Sequence, residues 1–137
     1  MKSKNMTEIF IYETSQNIEQ LESLILNSEK TSCFDTETIN EIFRIMHTIK
    51  GSSSMMLYDN MASLSHAVED LFFLLRDEKP KTLDFTFLSD LILECVDFLK
   101  LELDKIINEK QVDGDPSVLM ATITSFLNSI NSSSKKK

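Results

Sequence analysis

Three residues in the stretch "FRIMHTIKGSSSMM" have types and a spacing suited to phosphoryl transfer. His47 is one of only two histidines, Lys50 follows three residues later, and Gly51, one of two glycines, follows after four. In a helix, positions three and four residues apart share one surface. A glycine inside a helix costs about 1 kcal/mol relative to alanine. That cost makes sense if the imidazole takes up a phosphoryl group, because Lys50 then stabilises the negative charge and Gly51 leaves room for another protein.

A second pair of residues adds the carboxylate that such chemistry needs. His66 and Glu69 are three residues apart, so they lie on one face of the next predicted helix. An antiparallel neighbour presents that face to His47. A carboxylate that accepts the proton of Nδ1 fixes the tautomer of the imidazole and leaves Nε2 free to attack. We predict Glu69 in this role.

Other interpretations of these residues stay open. Each histidine could be an ordinary boundary or surface residue, and Glu69 could be a solvated charge. A carboxylate-bridged metal bundle needs about four glutamates and two Glu-x-x-His pairs, whereas this chain has the reverse order once. Zinc held by Cys33, Cys95, His47 and His66 lacks a recognisable ligand spacing. A helical interaction module without chemistry is the main alternative of a different class.

The elements that position these residues are predicted to be helices. The chain has only two glycines and two prolines in 137 residues, and apolar residues recur every three or four positions. The predicted helices cover about residues 7–28, a second from Asp35 or Thr36 through the histidine stretch, a third from near Tyr58, a fourth at about 84–109, and a short fifth after "DGDPS". This pattern predicts an all-α fold, an antiparallel four-helix bundle with an additional C-terminal fifth helix. Residues 1–131 form the predicted domain, and residues 132–137 a polar linker or disordered tail.

Composition excludes several classes of function. The formal net charge is −8, which repels phosphate backbones and argues against nucleic acid as a partner. The longest apolar run, "LFFLL", is far shorter than the roughly 20 residues of a membrane-spanning helix, and no signal-peptide core begins the chain. Cys33 and Cys95 form no CxxC pair, so no disulfide scaffold is expected. We therefore expect a soluble, cytoplasmic protein.

The stretch "FRIMHTIKGSSS" resembles the phosphotransfer motif of histidine phosphotransfer (HPt) domains, HxxKG followed by small residues. The resemblance extends from Ile9 to Asp77, through "IFIYETSQNIEQLESLIL" and "LSHAVEDLFFLLRD". Within the family, the chain is most similar to the amino-terminal phosphotransfer domains of CheA-type chemotaxis kinases. Leu57 stands where many members have glycine, and Ser52 replaces a glycine common in the CheA type. The local backbone at the end of the second helix is therefore an open question.

The resemblance implies that His47 is the phosphorylated residue and Glu69 its hydrogen-bonding partner. Lys50 is expected to stabilise the phosphoryl group and His66 to support the site. The resemblance further implies that His47 accepts the γ-phosphoryl of ATP from a separate kinase domain and donates it to an aspartate of a response regulator.

The partners that follow are a histidine kinase catalytic domain and a CheY-like or CheB-like receiver. We predict a receiver docking face at Gly51, Ser54 and Arg44. The chain contains no P-loop or glycine-rich nucleotide lid, so ATP and magnesium are expected on the kinase domain and no cofactor or metal on this one. The isolated domain is expected to be monomeric. A free-standing HPt protein of a multistep phosphorelay is the runner-up.

Overall fold

Long segments without helix-breaking residues become helices, and both prolines lie in loops between them. The computed structural model describes the backbone of residues 4–135 and the side chains of residues 5–130. Five helices cover this range and no strand occurs in it: α1 (Lys4–Glu29), α2 (Thr36–Met55), α3 (Asp59–Glu78), α4 (Phe85–Ile107) and α5 (Ser117–Lys135). The predicted all-α bundle with a fifth helix is confirmed.

Two aspartates define where helices begin. Asp35 accepts a hydrogen bond from the Thr38 backbone N–H at 2.8 Å, and Asp84 accepts one from Phe87 at 3.0 Å. Each carboxylate satisfies an amide that has no partner inside the helix. The backbone hydrogen bond from Thr38 also lowers the pKa of Asp35. The sequence left the start of α2 open between Asp35 and Thr36, and the structure selects Asp35 as the cap.

The helices enclose one apolar core, to which all five contribute buried side chains. Helices α2 and α3 pack against each other most extensively, α1 packs on α2 and α4, and α5 packs on α3 and α4. On α2 the buried residues follow the three-and-four spacing of one helix face: Ile42, Ile45, Met46, Ile49 and Ser53. His47 lies beside this buried face, so the packing of α3 on α2 determines which side chains contact its imidazole.

The turn from α2 to α3 places Leu57 in a conformation that favours glycine. The backbone N–H of Tyr58 donates to the Ser53 carbonyl at 2.8 Å, and that of Leu57 donates to the Ser54 carbonyl at 3.0 Å. These two bonds form a Schellman motif, whose C′ residue adopts left-handed torsions. Leu57 has φ of 66°, which costs a residue with a Cβ about 1–2 kcal/mol. The backbone therefore forms a turn that favours glycine, although leucine occupies the left-handed position.

A buried carboxylate fastens the loop between α4 and α5. Glu102 is 2% exposed, and its Oε1 accepts from the Gly114 N–H at 2.8 Å and from Asn60 Nδ2 at 2.9 Å. Lys105 Nζ lies 2.8 Å from Oε2. Any side chain at Gly114 would collide with this carboxylate, since an added Cβ would lie only 2.4 Å from Oε2 of Glu102. The contact explains why glycine stands there, and it holds the start of α5 near α3.

Helix α5 continues to Lys135, so its backbone includes the first four residues of the segment predicted as a linker or tail. Residues 136 and 137 lie outside the described range. The domain boundary at residue 131 stays a prediction. Between residues 4 and 135, none of the helices combines the length and the apolar character that a membrane span requires.

Candidate functional site

The antiparallel packing of α2 and α3 brings His47 and Glu69 together. Nδ1 of His47 lies 2.6 Å from Oε2 of Glu69. A carboxylate only accepts, so Nδ1 carries the proton and donates it to Glu69. The His47 side chain is 64% exposed, whereas that of Glu69 is 8% exposed. Because Nδ1 is bound to a buried group, the solvent-facing edge of the ring is the one that carries Nε2.

Lys50 completes the site from the turn after His47. Its Nζ lies 2.7 Å from Oε1 of Glu69, so each carboxylate oxygen contacts one group from α2. Burial raises the pKa of Glu69, but the contacts with Lys50 and His47 outweigh this effect and hold the pKa below its ordinary value. Glu69 is therefore ionised near neutral pH and remains an acceptor for Nδ1.

Small residues next to this cluster leave an open groove between α2 and α3. Gly51 and Ser54 are both exposed, and a Cβ added at Gly51 would meet nothing within 4 Å. The groove is lined by Lys50, Gly51, Ser54, Met55, Asp59, Ala62, Ser63 and His66. Packing within the domain thus does not require glycine at position 51.

Two other predicted site residues lie near the cluster without joining it. Nε2 of His66 is 3.5 Å from Asp70, and both side chains are 59% exposed. His66 therefore lines the groove and takes no part in the hydrogen bond between His47 and Glu69. Arg44 lies one turn before His47, pairs with Glu41 at 2.8 Å and is 63% exposed. The docking role of Arg44 and the supporting role of His66 stay predictions.

An aromatic cluster that was not predicted from the sequence flanks His47. The rings of Phe43 and His47 are nearly parallel, at 15°, with centroids 6.5 Å apart. Cζ of Arg76 lies 4.7 Å from the centroid of Phe43 and 5.2 Å from that of Phe73. An aromatic residue four positions before the histidine was the available signal, because such residues are neighbours on a helix.

The cysteines stand apart from this site. Cys33 is exposed and Cys95 is buried, and both are free thiols. Burial raises the pKa of Cys95 to about 12, which makes it an inert core residue. Among the side chains of residues 5–130, no three His, Cys, Asp or Glu lie close enough together to hold a metal ion.

Comparisons with known proteins place this geometry in a family. A family model described as the Hpt domain matches residues 5–109. Three relatives are chemotaxis proteins named CheA. The protein of Treponema pallidum is 34% identical over 91% of this chain, that of Borreliella burgdorferi 32% over 93%, and that of Listeria monocytogenes 30% over 90%. The chain spans only 15%, 14% and 19%, respectively, of these relatives.

A solved structure, described as the solution structure of the histidine phosphotransfer domain of CheA, has the same fold with a TM-score of 0.79. It is 32% identical to this chain, and the match covers 91% of this chain and 93% of that one. Since the family model, the relatives and the structure all extend over most of the helical bundle, this chain belongs to the Hpt domain family, and its homologues include the phosphotransfer domain of CheA.

Proposed function

We propose that His47 is the phosphoacceptor of a CheA-type chemotaxis signalling system. The observation that carries this proposal is the 2.6 Å bond from Nδ1 to the buried Glu69, made by an imidazole whose side chain is 64% exposed. A histidine held in this way presents an unprotonated Nε2 to solvent. An ordinary boundary histidine needs neither a buried carboxylate nor a lysine that shares it.

The reaction follows from this arrangement. The Nε2 lone pair attacks the γ-phosphorus of ATP, the P–N bond forms, and the bond to the β-phosphate oxygen breaks as ADP leaves. The ring keeps its Nδ1 proton and acquires positive charge, which the Glu69 carboxylate stabilises. Lys50, 2.7 Å from Glu69, is near enough in sequence and space to turn its ammonium toward the phosphoryl oxygens. In the second transfer, a carboxylate oxygen of the receiver's aspartate attacks the phosphorus, a P–O bond forms, and the P–N bond breaks, which restores the neutral imidazole.

The partners in this proposal are a histidine kinase catalytic domain and a receiver of the CheY or CheB type. ATP and magnesium belong to the kinase domain, and the reaction takes place in the cytoplasm. The groove at Gly51 and Ser54 admits the receiver because small side chains allow its aspartate to approach Nε2, and Arg44 borders the same face. The likeness to CheA favours this assignment over a free-standing phosphorelay protein, which would use the same site.

Two substitutions test the acceptor. His47→Gln is expected to abolish labelling by ATP and a cognate kinase domain. The matched variant His66→Gln, which changes the only other histidine, should still take label at His47, with a lower rate if His66 supports the site. The label on the parent should be lost in acid and stable in alkali, as a phosphoramidate is and a phosphoserine is not. Equal labelling of His47→Gln and the parent would contradict the proposal and direct attention to the neighbouring serines.

A further inference from the structure

The aromatic cluster beside His47 has a geometry that constrains the imidazole. Phe43 is half-buried on α2, one turn before His47, and the two rings are within 15° of parallel. Phe73 of α3 packs on Phe43 with centroids 6.1 Å apart. The Arg76 guanidinium lies over both aromatic rings, at 4.7 and 5.2 Å from their centroids. This arrangement fixes the plane of Phe43, because a cation over an aromatic face is attracted to it.

The hydrogen bond to Glu69 alone does not fix the plane of His47. While the bond at Nδ1 is intact, it and the backbone together define χ1 and χ2, but this single bond belongs to a side chain that is 64% exposed. When it opens, the ring samples other rotamers. In-line attack by Nε2 requires the lone pair to point in one direction, so this freedom slows the reaction. A flat neighbour with nearly the same orientation as the imidazole removes part of it.

We propose that Phe43 is a positioning residue for phosphoryl transfer at His47, held in place by Phe73 and Arg76. The proposal rests on the function proposed above, since it assumes that His47 is the acceptor. Phe43 acts through the orientation of the imidazole and touches neither phosphoryl donor nor receiver. The cluster thereby has a role beyond covering the core.

The size of the effect follows from rotamer populations. A side chain on a helix has up to three staggered wells at χ1, and the χ2 torsion of histidine is roughly two-fold. If Phe43 confines the ring to one arrangement and its loss frees χ1, the competent fraction falls about threefold, or about sixfold if χ2 is freed as well. These factors apply only while the bond to Glu69 is open, because an intact bond selects the reactive rotamer. The loss should therefore not exceed about sixfold.

The test uses a donor too small to depend on a docking surface. Phosphoramidate transfers its phosphoryl group to Nε2 with departure of ammonia, so its rate reports on His47 itself. Phe43→Leu keeps an apolar side chain but removes the flat face, and is expected to react measurably more slowly than the parent, by at most about sixfold. Phe43→Tyr keeps the ring and should restore most of the rate. Phe98→Leu, an equivalent change at a half-buried position of α4, should react like the parent.

A spectroscopic measurement separates positioning from folding. NMR signals of the His47 ring protons should shift in Phe43→Leu, because the ring current of a parallel neighbour is lost, and should stay nearly unchanged in Phe98→Leu. A parental rate for Phe43→Leu, or equal slowing by Phe43→Leu and Phe43→Tyr, would overturn the positioning role. If the parent takes no label at His47 from ATP and a kinase domain, the proposed function itself fails. Labelling of the parent with an unaffected Phe43→Leu removes only this inference.

Discussion

Replacing Glu69 by glutamine tests how the site activates His47. The side chain keeps its shape and can still accept the Nδ1–H, but it loses the charge that stabilises the ring as Nε2 attacks. In the parent this bond is 2.6 Å long and the carboxylate is 8% exposed, so solvent does little to screen it. Glutamine also turns an amide donor toward Lys50, which is 30% exposed and is able to move into solvent.

The expected loss of rate comes from the difference between two kinds of hydrogen bond. A bond to a charged group contributes about 1.5–3 kcal/mol, compared with about 0.5–1.5 kcal/mol for a neutral one. A difference of about 1–1.5 kcal/mol in the transition state corresponds to roughly five- to thirteenfold slower phosphorylation of His47. The free energy of unfolding should fall by about 1–2 kcal/mol, since the buried ion pair loses one partner.

The assay measures initial rates with a kinase domain and ATP, and again with phosphoramidate, on variants shown by circular dichroism to be folded. Asp70→Asn is the matched control, because it removes a neighbouring carboxylate that is 59% exposed and should leave the rate near that of the parent. A folded Glu69→Gln that reacts as fast as the parent with both donors would refute the argument. Equal slowing of Glu69→Gln and Asp70→Asn would mean that general charge matters rather than this contact.

Three further predictions concern stability and docking. The contacts that lower the folded pKa of Glu69 stabilise the protein fully at pH values above the ordinary glutamate pKa of about 4.3. This stabilisation is lost as the pH falls below that value and through the folded pKa. A plot of unfolding free energy against acidic pH should therefore be steeper for the parent than for Glu69→Gln. Leu57→Gly should raise the free energy of unfolding by about 0.5–1 kcal/mol, because relief of left-handed strain exceeds the added unfolded-state entropy. Met55→Gly, at an equally exposed helical position, should lower it. If urea denaturation shows that both variants are less stable than the parent, the role assigned to the φ of Leu57 is contradicted. Gly51→Leu should keep or raise stability by up to about 1 kcal/mol and slow transfer from the phosphorylated domain to a receiver, and unchanged transfer would place the receiver elsewhere.

The sequence was sufficient for the helices and for the main contact of the site. Apolar spacing and the scarcity of glycine and proline predicted the helical bundle. The placement of Glu69 opposite His47 followed from the assumption that α2 and α3 are antiparallel. The Nδ1 contact between His47 and Glu69 was predicted and is present at 2.6 Å. These features depend on local spacing and on one simple rule of topology.

Other features depend on the register between helices, which spacing does not determine. Lys50 pairs with Glu69, a contact that the spacing did not indicate, and its predicted role in stabilising the phosphoryl group stays a prediction. The guanidinium of Arg76 lies over the ring of Phe43 only because of the register in which α3 packs along α2. The contact of Gly114 with Glu102 joins residues 12 positions apart through a loop, and neither residue type predicts it. The strain at Leu57 was indicated by the family glycine, but its φ came only from the structure.

The most direct test of the account is the identity of the phosphorylated atom. A sample with ¹⁵N in its histidine rings, phosphorylated by a kinase domain and ATP, is examined by ³¹P and ¹⁵N NMR. We expect one phosphoryl group, coupled to Nε2 of His47, with the Nδ1 proton retained and no phosphorus coupling to either ring nitrogen of His66. A phosphoryl group on Nδ1 of His47, on His66 or on a serine would contradict it.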